Sequence, residues 1–195
     1  MKKVLLLLAN GFETYEASVF IDVLGWNRAE GDRTTELITC GMKKEIKSSF
    51  DLRVTTDLII NEVNVDEFDG LAIPGGFEEY GFYKDAYHEK FLGLIREFNR
   101  KNKIIASVCV GALPLGKSGI LRGKKATTYN LDKGIRQTQL RDFGVDVVNE
   151  PIVIAGNVIT SWNPSTALGV AFILLEQLTS RENADYIRKI MGFIG

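Results

Sequence analysis

The chain has 195 residues, with 24 basic side chains against 25 acidic, 45 % hydrophobic and 25 % charged positions. This composition excludes a disordered chain, and the length sets the expectation of one domain spanning residues 1–195. A net charge of -1 without a basic run gives no footprint for nucleic acid or an anionic membrane surface, and no apolar run nears the roughly 20 residues of a membrane span.

Residues 4–9 (VLLLLA) read as a strand buried on both faces; as a secretory leader the run is too short and has no small-residue cleavage site. The two cysteines, Cys40 and Cys109, are too few for a disulfide framework, so a cytoplasmic protein is expected. Residues 13–28 carry Val19, Phe20, Val23, Leu24 and Trp26 near helical spacing. Residues 36–40 (ELITC) form the next strand, and residues 44–48 and 52–56 a short polar excursion on a sheet edge.

Residues 70–73 (GLAI) are a strand stopped by Pro74-Gly75-Gly76, followed by an amphipathic helix over 87–101 with Phe91, Leu92, Leu94, Ile95 and Phe98 inward. A strand at 104–107, a helix at 110–118, a short strand at 126–128 and a helix at 131–142 come next. Strands at 145–148, 152–155 and 158–161 lead into Asn163-Pro164, an N-cap with proline in the first turn, and the helix 165–178. A last helix over 182–191 is expected to dock on the surface. Such alternation predicts an α/β fold, a doubly wound, mostly parallel sheet between helices.

Ligands of such sheets gather outside the carboxyl ends of the strands. Three turns fall at that edge: residues 10–16, Pro74-Gly75-Gly76-Phe77, and Ser107-Val108-Cys109-Val110-Gly111. A strand that ends at Cys109 and starts a helix within two residues forces a tight turn that presents the thiol, with Gly111 admitting close backbone. The helix start is expected to lower the Cys109 pKa, and the N–H groups of Val110 and of Gly75 or Gly76 to form an oxyanion hole. On position alone, a small buried core thiol is an equal reading of Cys109.

Residues 4–22 (VLLLLANGFETYEASVFID), 71–76 (LAIPGG), 104–111 (IIASVCVG), 119–129 (GILRGKKATTY) and 159–168 (ITSWNPSTAL) together resemble the ThiJ/PfpI family. These are flavodoxin-like relatives of class I glutamine amidotransferases that include the Parkinsonism-associated deglycase. The resemblance implies that Cys109 is the elbow nucleophile, that Glu16 is the carboxyl facing its sulfur, and that the chain forms a homodimer. Two anions in a poorly solvated pocket repel, so a protonated Glu16 can donate a hydrogen bond to the thiolate. Without the resemblance, Glu16 reads as a solvated acid in a first helical turn.

The departures from the family are equally specific. Thr127-Thr128 is followed by Tyr129 where many members place histidine, and the one histidine, His88, belongs to the start of a surface helix. A Cys–His dyad and a glutaminase role are therefore not expected, and acid–base work falls to Glu16, Tyr129, water or the substrate. Val110 stands where the protease branch has histidine and the hydratase branch threonine. Trp162 either narrows the pocket or packs at an interface. Asp22 is a helix-face acid and Cys40 a structural thiol.

These readings leave three functions open. The first is a cysteine-dependent enzyme of glyoxalase, deglycase or hydrolase type that attacks the electrophilic carbon of a small molecule. The second is a redox sensor or stress-response protein whose Cys109 is oxidised, and the third a binding module without chemistry. No motif implies a metal or organic cofactor.

Overall fold

The computed structural model describes residues 1–193. Its seven-stranded sheet contains β1 (Lys2–Leu8), β2 (Thr35–Gly41), β5 (Leu58–Ile59), β6 (Gly70–Ile73), β7 (Ile104–Ser107), β10 (Ile152–Ala155) and β11 (Val158–Ser161) in the order β10-β11-β7-β6-β1-β2-β5. All neighbours are parallel except β10 and β11. The expected doubly wound sandwich is the observed architecture.

β1 shows why both faces are covered. Leu5 and Leu7 enter one apolar layer, Val4, Leu6 and Leu8 the other, and none is more than 2 % exposed. Each such side chain contributes about 1.5–3 kcal/mol by burial. The first layer is closed by α2 (Phe82–Ala86), α3 (Glu89–Arg100) and α4 (Ala112–Ser118), the second by α1 (Thr14–Glu30), α6 (Pro164–Leu178) and α7 (Arg181–Ile190). None of the helices among the described residues is long and apolar enough to cross a membrane.

Several elements differ from expectation. The residues read as a sheet-edge excursion form their own antiparallel pair, β3 (Glu45–Lys47) with β4 (Arg53–Thr55), and the main sheet ends beside β2 at β5. β8 (Lys125–Ala126) pairs with β9 (Asp146–Val147) in a second small sheet. α5 (Ile135–Asp142) starts four residues late because Lys133 and Gly134 take positive φ, 47° and 73°. On α1 Trp26, expected on the inner face, is exposed at 41 %, and the buried stripe continues instead through Asn27, whose side chain donates to Thr35 Oγ1 at 2.9 Å. The 20, 23, 24, 27 spacing is the helical one, and the amide is tolerated because it is bonded.

Candidate active site

The three turns meet at the carboxyl edge of the sheet. Glu13 N–H donates to Gly75 O at 2.8 Å and Phe77 N–H to Gly11 O at 3.1 Å, which laces the first turn to the Gly-Gly turn. Val108 N–H donates to Ile73 O at 3.2 Å, and a Cβ at Gly111 would lie 2.7 Å from that same oxygen, so the third turn closes on the second only with glycine there.

Cys109 is held at φ 55°, a left-handed conformation that costs a side-chain-bearing residue on the order of 1–2 kcal/mol. It begins a 3-10 turn, Cys109–Gly111, that runs into α4, and its side chain lies at the seam of both apolar layers. Above it opens a cavity of about 710 Å³, lined among others by Glu16, Gly76, Val110 and Tyr129.

Glu16 is fully buried. Glu13, the N-cap of α1, accepts from the Glu16 N–H at 2.8 Å, which fixes the first helical turn. Glu16 Oε2 accepts from Gly75 N–H at 2.7 Å; Oε1 has no hydrogen-bond partner among the described residues, and the Cys109 side chain is the neighbouring group that acts on the carboxyl. A Cβ at Gly75 would stand 2.8 Å from Glu16 Oε2 and 3.1 Å from Cys109 Cβ, so glycine is what lets the three groups converge.

Burial pushes the Glu16 carboxyl up to about 8, with Glu13 adding to the effect against the Gly75 amide and Cys109. The carboxyl therefore holds a proton at neutral pH and can donate it.

Two sequence expectations are corrected here. The Cys109 thiol is raised well above its usual range, first by burial and then by the Glu16 charge, with only the Val110 amide opposing them. The helix that was to lower it, α4, is seven residues long and starts three residues after the sulfur, so its dipole is a minor influence. The Gly75 N–H is committed to Glu16 and is not free for an oxyanion, which leaves Gly76 and Val110.

Trp162 is half-buried and does not line the cavity; Asn163, Pro164 and Ser165 of the same loop do, with Asn163 capping α6 as expected. His88 is exposed and caps α3, its Nδ1 accepting from Lys90 N–H at 3.2 Å. Cys40 is fully buried in β2, and burial pushes its thiol up to about 12. Asp22 is exposed on α1.

Glu13 and Phe77, which the sequence places in the converging turns without a role of their own, also line the cavity, and so do Glu78 and Arg136, which sequence reasoning missed. Glu78 follows the Gly-Gly turn by two residues and was open to notice, whereas Arg136 sits in a polar helix with nothing to mark it.

Residues 2–177 match the family model described as DJ-1/PfpI family. The chain belongs to the DJ-1/PfpI family. Deglycase PfpI of Pyrococcus furiosus is 31 % identical to it over 162 residues, covering 83 % of this chain and 90 % of that protein. The crystal structure of Drosophila melanogaster DJ-1beta has the same fold, with a TM-score of 0.85 at 26 % identity over 100 % of this chain and 99 % of that one. Relatives vary in length: this chain spans 54 % of an uncharacterized protein of Methanocaldococcus jannaschii that is 32 % identical over 115 residues, 59 % of this chain.

Proposed function

We propose that this DJ-1/PfpI chain is a single-domain, cytoplasmic, cysteine-dependent enzyme of glyoxalase or deglycase type, acting on the carbonyl carbon of a small electrophile. The observation that carries the reading is Cys109, strained at φ 55° beneath an open cavity, with the unpartnered oxygen of a protonated Glu16 facing its sulfur. The deglycase named among its relatives agrees with it.

In the chemistry this supports, the Cys109 thiol gives its proton to water, Glu16 keeps its own, and the sulfur attacks an aldehyde carbon. The S–C bond forms as the C=O π pair moves to oxygen, and the Glu16 proton passes to that oxygen. The products are a hemithioacetal and a Glu16 carboxylate ready to act as base. The Gly76 amide, which has no protein acceptor among the described residues, and the Val110 amide are the candidate oxyanion donors. Tyr129 lines the same cavity and can donate to the substrate.

Both cysteines are free thiols, in keeping with a reducing compartment. Exposed Ile21 and Trp26 on α1, with Phe50 and Leu52 beyond β3, offer apolar surface for a homodimer.

The test is consumption of methylglyoxal with formation of a 2-hydroxy acid. Wild type is expected to turn over and Cys109→Ser to lose on the order of a thousandfold. Equal consumption by both proteins would refute the enzyme.

A second reading, redox sensing, rests on the same donors: a Glu16 proton and the Val110 amide can hold a sulfinate on Cys109. Peroxide titration followed by peptide mass analysis tests it, since sensing requires that Cys109 gain oxygen at low peroxide before the methionines do.

A further inference from the structure

Among the described residues, the cavity over Cys109 is lined by one cation, Arg136. Its guanidinium lies over the Tyr83 ring, 5.2 Å from the centroid, and NH1 donates to Gln139 Oε1 at 3.1 Å. NH2 donates to Glu78 Oε2 at 3.2 Å. The two members of this ion pair are unequal: the Arg136 side chain is 19 % exposed and the Glu78 side chain 65 %.

That inequality decides which of them can leave. Glu78, on the 3-10 turn Glu78–Tyr80, can swing into water and be hydrated there. Arg136 is held by the ring and by Gln139, so its departure would strip it of both and leave it nowhere better. If Glu78 leaves, a preorganised guanidinium with N–H donors to spare remains on the wall of the cavity that holds the reactive sulfur. Glu78 thus stands as an internal carboxylate on a receptor suited to carboxylates.

We propose that Arg136 sets the specificity of this site, and that the electrophile it selects bears a carboxylate which replaces Glu78 on the guanidinium. The proposal rests on the enzymatic reading of Cys109 and adds the class of substrate: an aldehyde acid. A single negative charge fits better than a phosphate dianion, because Glu79 and Asp132, both exposed, also line the mouth and repel the dianion more strongly. Their repulsion of a monoanion is reduced by salt, whereas the largely buried Arg136 is screened less.

The probe is succinate, scored by how far it slows alkylation of Cys109 by iodoacetamide at pH 8. The structure predicts protection in wild type, several-fold tighter protection in Glu78→Gln, in which the internal competitor is neutral, and loss of protection in Arg136→Met with part restored in Arg136→Lys. An Arg136–Glu78 pair that merely straps α5 to the turn would instead leave Glu78→Gln no better than wild type, and that result, or protection that survives in Arg136→Met, overturns the proposal.

Turnover is the second arm. Wild type should favour succinate semialdehyde over butanal by about tenfold or more in kcat/KM, and Arg136→Met should erase that ratio. Succinate protection without turnover of any aldehyde would sink the enzymatic reading, and with it the claim about the electrophile, while the carboxylate site stood. Turnover without the tenfold preference would sink the specificity claim alone.

Discussion

Glu16→Gln should make the protein more stable as it makes it less active, and the size of the effect follows from burial. In the unfolded chain the carboxyl titrates near 4.5, and in the fold it titrates near 8. A carboxyl with a raised pKa favours the fold most below its unfolded value, and that advantage is lost as pH rises through the folded one. Between those limits each pH unit costs about 1.4 kcal/mol, and about half that at either end, so wild type should lose about 3 kcal/mol between pH 4.5 and 7 and about 4 kcal/mol by pH 8. Glutamine keeps the size and a carbonyl oxygen for the Gly75 N–H, and places an amide N–H where the acid proton faced the sulfur. It carries no charge, so its stability should be nearly flat over that range. Denaturant unfolding of both proteins from pH 4.5 to 8 measures the difference, with the ionisation of Cys109 kept out by stopping at pH 8. Parallel pH profiles, or a Glu16→Gln protein less stable than wild type at pH 8, would refute the reasoning.

The same substitution should lower the Cys109 pKa, because Glu16 raises it both by charge and by hydrogen bonding; the pH midpoint of iodoacetamide alkylation in Glu16→Gln should fall below that of wild type while methylglyoxal turnover drops. In native wild type, peptide mapping after alkylation should find the label on Cys109 and none on Cys40, which is 0 % exposed and pushed up to about 12. Gly75→Ala places a methyl 2.8 Å from Glu16 Oε2 and should cost about 1–3 kcal/mol in thermal or denaturant unfolding as it parts the carboxyl from its amide. Cys109→Gly should be about 1 kcal/mol more stable than Cys109→Ala, since only glycine adopts φ 55° without strain; the reverse order would show that the elbow is not strained.

The elbow could be read from the sequence because a strand ending against a helix, with glycine two residues on, constrains the backbone locally. The acidity of its thiol could not, because it depends on what lies across space. The sequence alone predicts a helix dipole and a lowered pKa for Cys109; in the fold, a carboxyl 93 positions away in the chain and the loss of water act in the opposite direction.

Features that depend on neighbours along the chain are legible in the sequence alone. The buried strand β1 follows from its unbroken apolar run, the start of α6 from Asn163-Pro164, the inner face of α3 from its helical spacing, and the family from five segments in order. Elements carried by one or two residues were lost: β5 is two residues long, and the start of α5 turned on the positive φ of Lys133 and Gly134. It takes the packed fold to show that Gly75 bonds to Glu16 across 59 residues of chain, that Asn163 lines the cavity and Trp162 does not, and that Arg136 meets Glu78 58 residues away. The physical reason is common to all three: hydrogen bonding and desolvation act through space over a few ångströms, and the residues that meet at that range are chosen by the packing of the sheet and its two layers.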